Sequence, residues 1–136
     1  MINGNESEPV PASPTVTSAG VRHVLLTYHY EDVGDFEGYA SLLTDDVTFD
    51  HPGAPPARGR GAVLHAHIAR ATLRTQHQLI TVVAEDHTVV VLGRLVRSAP
   101  GALESSCGHV DFADVFTLSA QCLVRSRRRY YYEAPS

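Results

Sequence analysis

The stretch "HQLITVVAEDHTVVVLGRLVRS", residues 77–98, constrains the fold of this chain more than any other. Two runs of β-branched and apolar residues flank Glu85-Asp86, which predicts a hairpin that turns at this pair. A loop at 98–108 then leads to two further strand-like runs, "HVDFADVFTL" and "CLVRSRRRYYYE". The second half of the chain is therefore expected to form an antiparallel sheet.

Helical periodicity predicts three helices in the first half of the chain. The first helix starts near Thr17 or Ser18, the second is capped by Asp35, and the third runs from Gly61 to about Leu73. Helices followed by a run of strands are typical of an α+β domain, in which the helices cover one face of a curved sheet.

Length and composition limit the domain organisation. A chain of 136 residues forms one domain with a proper hydrophobic core. Residues 1–17 are polar and rich in Pro, which predicts a disordered tail ahead of a single domain at 18–133.

Charge and residue usage exclude several function classes. The formal net charge of −4 argues against binding to nucleic acid or to an anionic membrane. All 11 basic residues are Arg, so a lysine Schiff base and a phosphate-binding P-loop are excluded. No apolar run is long enough to span a membrane, and the first 20 residues do not resemble a signal peptide. Cys107 and Cys122 are expected to be reduced thiols of a cytoplasmic protein.

Asp114 lies in an apolar context within "HVDFADVFTL". Strand alternation places it on one face with Val110, Phe112 and Phe116. Burial would raise the pKa of this carboxyl group, so that it could serve as a neutral acid or oxyanion donor. The alternative is a structural ion pair with Arg94 or Arg127.

His51 ends the predicted strand 47–51 on the same face as Val47 and Phe49. An imidazole there could act as a base near neutral pH, or it could simply be a hydrogen-bonded residue at the end of a strand. Asp50 points the other way and is expected to anchor the following Pro/Gly turn.

Two further side chains are predicted to face the interior. His77 opens the hairpin on an apolar strand face, and Tyr28 lies on the inward face of the first helix. His65 and His67 lie on different helix faces, so no metal site is expected. No cofactor is expected either, because no nucleotide-binding glycine motif is present. The basic run at 125–129 is typical of the exposed face of an edge strand.

The stretch "DVGDFEGYASLLTDDVTFDHPGAPPARGR", residues 32–60, resembles the ketosteroid isomerases and their SnoaL-like relatives. These proteins belong to the nuclear transport factor 2-like superfamily. The resemblance implies a cone-shaped fold with three N-terminal helices on a curved, mostly antiparallel sheet. It also places His51 at the position of the isomerase base and Asp114 at that of the oxyanion-hole Asp. Thr27, with Tyr28 beside it, falls at the position of the oxyanion-hole Tyr.

A second, local resemblance concerns "LRTQHQLI", residues 73–80, which is similar to a stretch of scytalone dehydratase. It implies that His77 takes the place of a catalytic histidine of that enzyme.

Three hypotheses about function follow. The first is a cofactor-free acid–base enzyme of SnoaL-like type, a cyclase, isomerase or dehydratase of secondary metabolism. In it, His51, Asp114 and His77 act on a small apolar cyclic or polyketide-like metabolite. Residues expected to contact that metabolite are Tyr28, Thr27, Phe49, Phe112 and Phe116. The second hypothesis is a non-catalytic small-molecule-binding or accessory domain, and the third is a domain that mainly dimerises through its sheet. A homodimer is expected.

Overall fold

The computed structural model describes residues 14–70, 74–98 and 108–132. They form three helices and six strands: α1 (Pro14–Val33), α2 (Phe36–Ser41), β1 (Leu43–Asp50), β2 (Ala57–Arg58), α3 (Arg60–Ala69), β3 (Arg74–Glu85), β4 (Thr88–Ser98), β5 (Gly108–Leu118) and β6 (Val124–Tyr132). The predicted α+β order is confirmed, and β2 is a short strand that sequence periodicity did not predict.

The helices differ from their predicted bounds mainly at their ends. Helix α1 begins at Pro14, ahead of the start predicted at Thr17 or Ser18, and proline is well suited to a first helical position. Residues 1–13 of the predicted tail lie outside the described residues. The cap of α2 is confirmed, because the carboxylate of Asp35 accepts a hydrogen bond from the amide of Gly38 at 2.9 Å.

The six strands form one curved sheet in the order β2-β1-β6-β5-β4-β3. All neighbouring strands are antiparallel except β1 and β6, which run parallel. The hairpin turn between β3 and β4 lies where it was predicted, with Asp86 in the left-handed region at φ 53°. The cone-shaped fold expected from the resemblance is confirmed.

Strand β6 does not lie at an edge of the sheet, so the prediction for the basic run at 125–129 is wrong. The strand pairs with both β1 and β5. Its register shifts against β5, where Thr117 pairs with Ser126 and Leu118 pairs with Val124. This bulge changes the phase of the side chains, since a slip of one residue exchanges the two faces of a strand. Arg127 and Arg129 consequently point into the protein and are only 2% and 6% exposed.

The core lies between α1 and the concave face of the sheet. Alternation in β5 is as predicted, since Phe112, Asp114 and Phe116 are all buried there. Across from them, Val24 and Tyr28 of α1 are buried as well. None of the described helices is long and apolar enough to cross a membrane.

Candidate active site

A cavity of about 620 Å³ opens between the C-terminal end of α1, helix α3 and the sheet. Its wall includes apolar side chains, among them Phe36, Phe49 and Leu95. The majority of the lining residues are nevertheless polar or charged: Glu31, Asp32, His51, His67, Arg70, Thr75, Gln76, His77, Arg97, Arg129 and Tyr131. The cavity wall therefore combines apolar surface with many ionisable groups.

His77 and Asp32 form a carboxylate–imidazole pair in this wall. Nδ1 of His77 lies 2.6 Å from Oδ1 of Asp32, and the backbone amide of His77 donates to Oδ2 at 3.0 Å. An ionised carboxylate only accepts hydrogen bonds, so Nδ1 of the neutral imidazole carries the proton. Two bonds from one carboxylate thus fix both the tautomer and the orientation of the ring.

The other nitrogen of His77, Nε2, is buried and has no hydrogen-bond partner among the described residues. The ring packs between Tyr28 and Phe112, with centroid distances of 4.9 Å and 5.7 Å. A buried acceptor without a partner is costly, so it requires an explanation such as a bound water or a catalytic role. In this tautomer, Nε2 carries a lone pair with no hydrogen-bond partner among the described residues.

His51 also lines the cavity, and its ring is fixed by a different set of contacts. Nδ1 lies 3.0 Å from the carbonyl oxygen of Pro52, which only accepts, so Nδ1 carries the proton. Nε2 therefore accepts the hydrogen bond from the hydroxyl of Tyr131 at 3.0 Å. The guanidinium of Arg97 donates to the same hydroxyl oxygen at 3.3 Å.

His51 is neutral near pH 7. Burial, and after it the charge of Arg70, lower the pKa of His51 to about 4. Asp50 does not anchor the Pro/Gly turn, because its carboxylate pairs with Arg128 on β6 at 2.9 Å. The expectation for Asp50 is thus wrong.

Asp114 is not the neutral acid that was predicted. Oδ1 accepts from Nε of Arg129 at 2.8 Å, while Oδ2 accepts from Arg129 at 2.7 Å and from Arg127 at 3.0 Å. Tyr28 donates to Oδ2 at 2.6 Å. Burial alone would raise the pKa of Asp114, but the two guanidinium groups hold it well below its usual range. The alternative of a structural pair with Arg127 is confirmed, and Arg94 pairs with Asp111 instead.

A second buried carboxylate, Glu31, completes this network beneath the cavity. Its Oε1 lies 2.8 Å from Arg127 and its Oε2 lies 3.2 Å from Nδ1 of His67, whose Nε2 is 2.7 Å from the hydroxyl of Tyr39. Burial would raise the pKa of Glu31, but mainly the charge of Arg127 lowers it to about 2. Burial lowers the pKa of His67 to about 4, so this imidazole is neutral as well.

The residues predicted to contact a substrate are not all brought to the cavity. Phe49 lines it. Thr27 is buried and donates to the carbonyl of His23 at 2.9 Å, while the hydroxyl of Tyr28 is used by Asp114. Phe112 and Phe116 are buried and absent from the cavity wall.

Sequence reasoning missed Asp32, Glu31, His67 and Tyr131. A signal existed for Asp32, because it follows Tyr28 by four residues and so shares the inward face of α1. Among the described residues, no group of three or more His, Cys, Asp or Glu side chains is arranged to hold a metal ion.

We expect Asp114→Asn to destabilise the fold severely, since it leaves two buried arginines without their shared carboxylate. The expected loss in the free energy of unfolding is about 3–5 kcal/mol. Asp111→Asn is the matched control, because that carboxylate is in an exposed pair on the same strand, worth at most about 1 kcal/mol. Urea denaturation measures both variants, and equal losses would contradict the buried network.

Acid should weaken the fold in a pH range set by His67 and His51, both of which have a pKa lowered to about 4. The unfolded imidazole takes up a proton below about pH 6.5, whereas the folded one resists until about pH 4. The contribution of the neutral imidazole to the free energy of unfolding is therefore fully present above about pH 6.5 and is lost as the pH falls towards 4. His67→Gln should flatten the decrease in unfolding free energy over this range. His65→Gln, an exposed control on the same helix, should keep the wild-type slope.

A sequence model of the SnoaL-like domain matches residues 25–126, well over half of the chain. No curated protein is significantly similar in sequence. Among solved structures, a candidate polyketide cyclase from Xanthomonas campestris has a TM-score of 0.76 at 18% identity, over 86% of this chain and 93% of that one.

Two further structures carry names related to epoxide chemistry. SalBIII, described as an epoxide hydrolase/cyclase-like enzyme in pyran ring formation in salinomycin, has a TM-score of 0.74 at 17% identity, over 85% of this chain and 92% of its own. A LEH-like epoxide hydrolase from Mycobacterium tuberculosis has a TM-score of 0.74 at 16% identity, over 85% and 84%. Identities this low show the fold alone, whereas the match of the domain model carries the assignment: this chain belongs to the SnoaL-like family.

Proposed function

We propose that this chain is an acid–base enzyme that removes a proton next to a carbonyl group of a small cyclic metabolite, using its own side chains and no cofactor. The observation that carries the proposal is the His77–Asp32 pair, with a proton fixed on Nδ1 and an unpartnered Nε2. A general base needs a lone pair that no other group occupies and a ring whose orientation is fixed.

His77 rather than His51 is the first base in this proposal. Both imidazoles belong to the cavity wall, but Nε2 of His51 already accepts from Tyr131. His51 would have to give up that bond before it could take a proton from a substrate. His51 is therefore the second base, or it holds Tyr131 in place.

Tyr131 is the proposed donor to the substrate oxygen. When a proton leaves the carbon, the electron pair moves to the carbonyl oxygen and forms an enolate, which a hydrogen-bond donor stabilises. The hydroxyl of Tyr131 can exchange His51 for that oxygen, and the bond from Arg97 polarises it towards donation. Asp32 stabilises the imidazolium formed on His77.

From the enolate, three outcomes are chemically available. Loss of a β-hydroxyl group gives dehydration, reprotonation at another carbon gives isomerisation, and attack on a second carbonyl gives ring closure. We propose a polyketide-like substrate of secondary metabolism, which the names of the candidate cyclase and of SalBIII support. The polar wall of the cavity favours an oxygenated ring system over a purely apolar one.

A cytoplasmic homodimer is part of the proposal. Apolar side chains are exposed on the convex face of the sheet, which supports dimerisation there: Ile80, Leu92, Tyr130 and Tyr132. Sedimentation at micromolar concentration would show a monomer if this part is wrong.

The decisive test of the proposed base is proton exchange at carbon. In D₂O, the wild-type protein should incorporate deuterium at the α-carbons of 2-tetralone faster than buffer does, as followed by mass spectrometry. His77→Gln should lower the rate by about two to four orders of magnitude, the usual contribution of a general base. Asp32→Asn should lower it less, and His109→Gln, an exposed control on β5, should leave it unchanged.

A second probe separates the outcomes of the enolate. Conversion of 3-hydroxy-1-tetralone into 1-naphthol requires α-proton removal and loss of water, so its appearance would select dehydration. If the wild type accelerates neither reaction yet binds both ketones, the chain is a binding domain. Wild-type rates in His77→Gln would overturn the assignment of the base.

A further inference from the structure

We infer that the mouth of the cavity is a carboxylate subsite formed by Arg70 and Arg97, and that the substrate is consequently a carboxylic acid. The inference rests on the proposed function, because it takes the cavity to be the place where the substrate binds. It names the class of substrate, which the acid–base residues alone do not.

The first observation is the charge balance of the cavity. Three arginines and two carboxylates line it, so positive charges exceed negative charges by one: Arg70, Arg97, Arg129, Glu31 and Asp32. The groups directly beneath, Arg127 and Asp114, cancel each other. The histidines in the wall with lowered pKa values, His51 and His67, are neutral and do not change the balance. A singly charged anion would neutralise the excess positive charge of the cavity.

The second observation is which arginines are already used. Arg129 binds Asp114 through two nitrogens, and Arg127 is held between Asp114 and Glu31. Arg70 and Arg97 have no carboxylate within ion-pair distance among the described residues. Apart from one hydrogen bond from Arg97 to the hydroxyl of Tyr131, the guanidinium donors of these two residues have no partner among the described residues and are open to a ligand.

The third observation is how these two side chains are held. Arg70 ends α3 and places its guanidinium 5.8 Å from the ring centroid of Phe49. Arg97 lies at the same distance from the ring of Tyr131 and donates one hydrogen bond to its hydroxyl. Each planar guanidinium rests on an aromatic ring of the cavity wall and keeps donors to spare, an arrangement suited to the planar carboxylate.

A simpler explanation for Arg70 is its position at the C-terminus of α3, where any cation is favourable. That explanation does not account for its place in the cavity wall. Burial, and the nearby charge of Arg127, lower the pKa of Arg70 and so work against its charged form. The helix-end explanation also does not apply to Arg97, which lies near the C-terminal end of strand β4.

The chemistry fits the proposed reaction. A carboxylate bound at the mouth would orient the ring system with its carbonyl towards Tyr131, since Arg97 contacts both the subsite and that hydroxyl. Fixing one end of a substrate raises the effective concentration of the reacting end at the base. We therefore expect loss of the subsite to weaken binding more than it slows proton removal.

The test compares 2-naphthoate with 2-naphthamide by isothermal titration calorimetry. These probes have the same shape, differ in charge, and carry no α C–H, so turnover is not involved. Wild type should bind the carboxylate at least about tenfold more tightly, and Arg70→Gln and Arg97→Gln should each weaken naphthoate binding about tenfold while leaving naphthamide unaffected. The double variant should lose the preference, whereas the Lys replacements should retain part of it.

The control is Arg22→Gln, which removes the same charge from the exposed side of α1 and should keep the full preference. Equal wild-type affinities for the two probes, or a preference that survives in the double variant, would overturn the inference. Its failure is distinct from failure of the proposed function. If the wild type exchanges deuterium but shows no preference for the carboxylate, only the subsite is rejected. If it shows the preference but no exchange, the subsite stands and the chain is a binding domain.

Discussion

The carboxylate of Asp114, held by two arginines in the interior of the sheet, is the interaction on which the rest of this structure depends. Taking charges out of water costs several kcal/mol for each ion, and only close pairing with satisfied hydrogen bonds offsets that cost. Here both oxygens of Asp114 are bound by Arg127, Arg129 and Tyr28. Glu31 neutralises the remaining positive charge. A cone lined with so many ionisable groups can form only because these charges balance.

The same network determines where the candidate base lies. Tyr28 and Glu31 tie the inward face of α1 to the buried charges, through bonds to Asp114 and Arg127. Asp32 is the next residue of that helix, so its position against β3 follows from those bonds. His77 is then bound through its ring and its amide. The geometry of the His77–Asp32 pair is thus a consequence of how the buried charges of the network are packed. A change in that network would misplace His77 without contacting it.

Sequence reasoning could predict the elements with strong periodicity and the faces of strands that keep one phase. Alternation placed Asp114 inside correctly, and the order of helices and strands was enough for the fold. It failed in β6, because a bulge between Val124 and Ser126 exchanges the two faces, and no local pattern indicates a bulge. The sequence offered burial and an ion pair with Arg127 as alternatives for Asp114, and the pKa shift predicted from burial alone had the wrong sign. The arginines of the neighbouring strand β6 determine the direction of that shift.

The buried arginines also restrict the chemistry that the cavity can begin with. Their charges keep Asp114 and Glu31 ionised against the effect of burial. Burial, and after it the charge of Arg70, lowers the pKa of His51. The network therefore contains no neutral carboxylic acid, and the donors left in the cavity are a phenol and guanidinium groups, which are weak acids. A reaction that starts with protonation of the substrate would lack a suitable acid, whereas one that starts with removal of a proton finds neutral imidazoles. In the proposed reaction, the positive charge that remains would stabilise the anion so formed, and this favours proton abstraction as the proposed first step.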